Sequence, residues 1–186
     1  MPRDFVIWCG EYSIECTPSG LPGLYDELKA HAALAEELAL DERDLCCLAV
    51  RRGDEPWPFL TVALGCATAV AGGSPGALLA LDTSTLFIGY AEQLLAVRLQ
   101  PLARLWRSEA PGGFRFWEQH GDVVLLGAER ALEAFSSAGE KLWSRPAAPP
   151  WSHRVRGERI DLTDGGGRIE ALTLREGRGD GSRGSG

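Results

Sequence analysis

Ala91-Glu92-Gln93-Leu94-Leu95-Ala96-Val97-Arg98-Leu99-Gln100-Pro101-Leu102-Ala103-Arg104-Leu105-Trp106 is answered 37 residues later by Ala128-Glu129-Arg130-Ala131-Leu132-Glu133-Ala134-Phe135-Ser136-Ser137-Ala138-Gly139-Glu140-Lys141-Leu142-Trp143. Ala, Glu, Leu, Leu and Trp recur at matching places, and Arg104 matches Lys141. Each copy follows an apolar run ending in glycine, Leu86-Phe87-Ile88-Gly89 and Val124-Leu125-Leu126-Gly127. One unit therefore reads as an apolar strand, a turn, a second strand, a loop, and a third strand ending in Leu-Trp. A period near 40 residues with several strands per unit points to stacked β-sheets, each burying a face against the next. Leu105-Trp106 and Leu142-Trp143 are then equivalent packing anchors between layers. An aromatic ligand site lined by Trp106, Trp117, Trp143 and Trp151 is the alternative; tryptophan at fixed repeat positions favours core.

A shorter echo follows. His120-Gly121-Asp122-Val123-Val124-Leu125-Leu126 matches Arg156-Gly157-Glu158-Arg159-Ile160-Asp161-Leu162, and another strand reading, Ile169 to Leu174, comes after it.

Before the repeats, Phe5-Val6-Ile7-Trp8-Cys9 reads as a strand, and Thr17 to Gly23 as a turn-rich loop. Leu24 to Leu40 changes period. Leu24, Leu28, His31, Ala35 and Leu38 fall on one helical face, while Asp26, Glu27, Glu36 and Glu37 fall elsewhere, which predicts an amphipathic helix with a packed His31. Leu45–Arg51 and Trp57–Leu64 predict a hairpin around Arg52-Gly53-Asp54-Glu55-Pro56. Gly72 to Gly76 is a second loop. Residues 177–186 hold only Gly, Arg, Ser and Asp and read as a disordered tail. The expected organisation is an α+β segment over 1–72 packed on a β-repeat region over 73–176.

The segment Val124-Leu125-Leu126-Gly127, Leu132-Glu133-Ala134-Phe135, Gly139-Glu140-Lys141-Leu142-Trp143 resembles the repeat of quinoprotein-like (PQQ-type) β-propellers. From Gly76 to Leu174 the chain also resembles an uncharacterised family of bacterial proteins, through Pro75-Gly76-Ala77-Leu78-Leu79, Gly121-Asp122-Val123-Val124, Gly139 to Trp143 and Pro149-Pro150-Trp151-Ser152. The resemblance covers about half the chain and speaks to fold, not activity. Quinoproteins hold their cofactor on the axis of a closed ring, and a ring needs at least four blades. The chain has room for about three units. Cys46-Cys47 lies outside the repeats and does not carry the quinoprotein chemistry over. The expected fold is mainly β (α+β): an incomplete propeller-like or sandwich-like array of about three antiparallel β units, with the N-terminal helix covering an edge or face.

The 186 residues carry a net charge of -7. An acidic chain has no general pull on phosphate backbones, so nucleic acid is not an expected partner. Acids crowd the stretch from Asp26 to Asp44, and arginines follow Trp143. The five cysteines are Cys9, Cys16, Cys46, Cys47 and Cys66. No pair has metal-ligand or disulfide-framework spacing, and on a strand the Cys46 and Cys47 side chains point to opposite faces. Buried reduced thiols and a cytoplasmic setting are the expectation, with no signal peptide and no apolar run long enough for a bilayer.

Catalytic motifs do not emerge. The sequence has no nucleophile elbow, no zinc-protease helix and no phosphate-binding loop. Asp161 to Gly167 fails the calcium-loop spacing. Three surfaces or clusters remain. Phe114-Arg115-Phe116-Trp117-Glu118 and Trp151 are aromatic with interleaved charge, which suits alternation into the β core or a grip on another protein, and Glu36 with Glu37 suits a solvated helix face or a basic partner. His120 and His153 read first as solvent-exposed turn histidines; the alternative is that they face each other across neighbouring units near Asp122 or Glu118, as an acid/base pair or weak metal site. No metal and no cofactor is expected. The favoured function is a non-catalytic protein-interaction module, an adaptor or immunity-like binding protein. The alternatives are a small-ligand or enzymatic domain using His120, Asp122 and His153, and a structural subunit of a homo-oligomer.

Overall fold

The computed structural model describes residues 4–40, 42, 44–66 and 74–178. Asp41, the loop from Gly72 to Gly73 and the tail beyond Arg178 lie outside them, as does the expected 72/73 boundary. Among the described residues sixteen strands and one helix run in the order β1(Phe5–Cys9), β2(Tyr12–Thr17), α1(Tyr25–His31), β3(Leu34–Leu38), β4(Asp44–Arg52), β5(Leu60–Cys66), β6(Gly76–Ala80), β7(Thr85–Tyr90), β8(Gln93–Leu99), β9(Leu102–Glu109), β10(Phe114–His120), β11(Val123–Ala128), β12(Ala131–Ser136), β13(Lys141–Pro146), β14(Ser152–Arg156), β15(Arg159–Thr163) and β16(Ile169–Thr173).

The strands form four sheets, ordered β1-β2-β4-β5-β3, β6-β7-β8-β9, β10-β11-β12-β13 and β14-β15-β16. The protein is mainly β. Four sheets stand where about three units were expected, because the N-terminal segment is a full sheet and not only a cover. Every pairing is antiparallel except β3 with β5.

Strand alternation explains the stacking. One cluster joins Ile14, Leu48 and Val62 of the first sheet to Leu86, Ile88, Leu95 and Val97 of the second. The second sheet's opposite face, with Phe87, Leu94 and Ala96, meets Val124, Leu126 and Phe135 of the third. The third sheet's other face, with Leu125, Leu132 and Ala134, meets Ile160, Leu162 and Leu172 of the fourth. The middle sheets are covered on both sides, which is why β7 and β11 are apolar at successive positions and buried throughout.

The repeat is structural. In β8–β9, Ala96 pairs with Trp106 and the register then slips. In β12–β13, Ala134 pairs with Trp143 and the register slips at the same place. Each indole crosses to the next sheet. Trp106 Nε1 donates to the Gly139 carbonyl at 2.6 Å, and Trp143 Nε1 donates to the Leu174 carbonyl at 2.9 Å. The accepting turns contain Gly139 and Gly177, with φ of 90° and 61°. A Cβ on Gly177 would lie 2.4 Å from the Trp143 ring, and one on Gly139 2.7 Å from Leu105 Cδ1. Only glycine fits both the left-handed backbone and the indole above it. Gly127, closing the apolar run of β11, lies under Phe116 in the same way, where a Cβ would sit at 2.1 Å.

The N-terminal helix is shorter than its period implied. It spans Tyr25–His31, and the chain leaves it extended at Ala32. Leu34–Leu38, made of strong helix formers, is instead β3. Two tertiary terms override propensity. The strand pairs over its whole length with Leu60–Leu64 of β5, and Glu36 takes an inward place beneath two arginines. Helix α1 lies on the outward face of the first sheet, where Tyr25 packs with Cys47 and Ala63. His31, expected in a core, is exposed and stacked on Trp57 at 4.0 Å between ring centroids. The hairpin forms as β4–β5, with Trp57 left in the connection. Cys46 and Cys47 do face opposite ways: Cys46 enters the cluster between the first two sheets, and Cys47 the one beneath α1.

Candidate functional site

Two places collect the residues read as functional. The first is the seam between the third and fourth sheets. β10 carries Glu118 and His120 on one sheet, and β14 carries His153 on the next. His153 Nε2 lies 2.8 Å from Glu118 Oε2 in a hydrogen bond. His120 Nε2 lies 2.8 Å from Glu118 Oε1, at ion-pair distance but out of hydrogen-bond alignment. One carboxylate thus meets both imidazoles, where the favoured sequence reading had two exposed turn histidines. Burial pushes the Glu118 carboxyl up, but the bond from His153 and the two imidazoles more than offset it and hold it below its ordinary value. Phe116 stacks on His153 at 5.1 Å and 13°. Asp122, two residues past His120, turns away to pair with Arg175. A cleft of about 350 Å³ opens beside them, walled by His120, Asp122, Val155 and Glu158. Among the described residues no group of three or more His, Cys, Asp or Glu is placed to hold a metal ion.

The expected aromatic surface is largely interior. Phe114 is 7% exposed and rests where Gly76 and Gly89 have no side chain. Trp151 is 5% exposed, donates to the carbonyls of Ala128 and Glu129, and carries Arg115 over its ring at 4.8 Å. Phe116 and Trp117 are half-buried, and Trp117 packs on Phe87 and Phe135. Charges interleave with these aromatics because β10 lies beside two packed seams, not because its face is open. Glu36 is also corrected. It is 2% exposed and accepts from Arg107 Nε at 3.0 Å and from Arg104 Nη1 at 3.3 Å. Glu37 is half-buried and accepts from Tyr25 Oη at 2.8 Å and Lys29 Nζ at 2.6 Å. Glu36 thus ties the first sheet to β9 of the second, and Glu37 ties β3 to α1.

The second place is the outer surface of β1, which sequence reasoning treated only as a strand. Val6 and Trp8 are 50% and 66% exposed. Their cross-strand partners are Glu15 and Ser13, so both lie on the outward face of the first sheet, beside the part that α1 covers. The available signal was alternation: Tyr12, Ile14 and Cys16 point inward on β2, which assigns Val6 and Trp8 to the other side.

No helix among the described residues is long and apolar enough to cross a membrane. No protein-family model matches the chain, and no curated protein matches it. Among solved structures the chain is similar to KlHsv2 with loop 6CD replaced by a Gly-Ser linker, with a TM-score of 0.32 and 13% identity, over 53% of this chain and 34% of that one.

Proposed function

We propose that this chain is a non-catalytic protein-interaction module, an adaptor or immunity-like binding protein of the cytoplasm. Its scaffold reads as an open propeller-like array, with a quinoprotein-type repeat used for packing and not for a cofactor. The observation that carries the reading is the pair Val6 and Trp8, an exposed aliphatic and an exposed indole side by side on the outward face, beside the part that α1 covers. Tryptophan on a rigid strand is the residue type that most often anchors a protein interface. Cys9, Cys16, Cys46 and Cys47 are free thiols, which suits a reducing compartment. The test is capture from an extract of the native host by immobilised protein, compared with a Val6→Ser/Trp8→Ser variant of equal circular dichroism. A species retained by the wild type and lost by the variant is expected; identical capture profiles would sink the reading.

A second reading, a small-ligand site, is favoured by one observation: the buried His120 Nε2 borders the 350 Å³ cleft without an aligned hydrogen bond. It expects the His120 ring resonances to move on titration with small anions or polar metabolites while those of exposed His31 stay fixed.

A further inference from the structure

The four sheets stack in series, and the two end sheets each keep an outward face. On the fourth sheet the alternation that sends Ile160, Leu162 and Leu172 inward sends Arg154, Arg156 and Arg159 outward, together with Ile169, which is 66% exposed. Arg156 is itself 61% exposed and reaches Asp161 at 3.6 Å. On the first sheet the outward face carries Val6, Trp8 and Glu15, the last paired with Arg51 on the same face, and α1 adds Asp26 and Glu27, exposed in its first turn and not neutralised by an ion pair among the described residues. One end of the molecule is thus acidic around an apolar pair, and the other is rich in arginine around an exposed isoleucine.

We propose that these two faces are partners: the fourth sheet of one copy docks on the first sheet of a second copy, head to tail. The inference rests on the interaction-module reading and names its partner. Three features of the faces support it. Their charges are complementary, which steers encounter and fixes orientation. Each carries one exposed apolar anchor, Trp8 on one and Ile169 on the other. Arginine beside an exposed indole is a favourable pairing that the chain already uses internally, in Arg115 over Trp151. Because the surfaces differ, the contact is heterologous, and it closes into a ring or extends as a series according to the rotation between copies.

Sedimentation over a concentration series tests it on the whole chain with paired charge reversals. Arg154→Glu/Arg156→Glu turns the basic face acidic, and Asp26→Arg/Glu27→Arg turns the acidic face basic. All four positions are exposed, so folding is preserved and checked by circular dichroism. Wild type is expected to rise above the monomer mass at low salt and to fall back at high salt. Each variant alone weakens association by about a hundredfold or more. Mixed together they associate again, because each tail then meets a head of opposite sign. A wild type that stays monomeric throughout, or variants that associate as wild type does, overturns the proposal. If self-association is absent while capture through Trp8 persists, only the identity of the partner fails; if Trp8→Ser changes neither experiment, the interaction reading falls with it.

Discussion

Trp143 and Gly177 form one joint, and neither residue's role is intelligible without the other. The indole needs the Leu174 carbonyl as acceptor, and the turn that presents it has room for the ring only because residue 177 has no side chain. Trp143→Ala is expected to cost about 3 to 5 kcal/mol. Gly177→Ala is expected to cost about 2 kcal/mol, from a left-handed backbone and the clash together. In the Trp143→Ala background the clash has gone, so the second substitution should cost about 1 kcal/mol less than it does alone. Urea unfolding of the four proteins measures the coupling; strict additivity would show that the ring and the turn are independent.

Glu118 makes a prediction of a different kind. Its carboxyl is held below its ordinary value in the fold, chiefly by His153 and His120 acting against the cost of burial. The stabilisation is therefore complete above the unfolded value of about 4.3 and is lost as pH falls through the lower folded value. Glu118→Gln removes that dependence, so the wild type should lose stability more steeply than the variant between pH about 5 and 3. The side chain is 42% exposed, and solvent keeps the effect small. Parallel curves of urea midpoint against pH would count against the assignment.

At the level of elements, β3 is the instructive case. Leu34-Ala35-Glu36-Glu37-Leu38 is written in helix formers, and its helical period was real. What makes it a strand is remote in sequence: the length of β5, and Arg104 and Arg107 on β9. No local pattern encodes that. Glu36→Gln tests it, since it leaves two arginines, each nearly half exposed, facing a buried neutral amide. It is expected to destabilise by about 1 kcal/mol, because water screens the half-exposed arginines, read as a lowered urea midpoint, whereas Glu27→Gln on exposed α1 should change little. The strands of the repeats were legible for the opposite reason. Leu-Trp after a glycine-closed apolar run is a local signal, and it maps onto β9 and β13 with the same register slip. Of the sites, repeat spacing offered the meeting of His120 and His153 only as the lesser alternative to two exposed turn histidines, and it did not choose Glu118 over Asp122, because the carboxylate that reaches both rings is set by the seam between sheets. The place of the aromatics was not legible either, because Phe114 and Trp151 look the same in sequence whether a seam or solvent receives them. Val6 and Trp8 were passed over because a strand's outward face is known only once its neighbour's inward one is.

For the molecule as a whole, series stacking makes stability uneven. The second and third sheets lose exposure on both faces, while the fourth has three strands and one covered face. In native-state hydrogen exchange the amides of β14–β16 should therefore open at lower free energy than those of β7 and β11, and without the rest unfolding. Uniform protection across all four sheets would mean that the array melts only as one unit.

The bond from Trp143 to the Leu174 carbonyl gives that opening a visible trace. The indole is 9% exposed while the seam is shut and meets water as soon as the last sheet lifts. Its emission should redden with that local event, ahead of any loss of far-ultraviolet ellipticity, so the chain carries its own optical gauge of how firmly its final layer is seated.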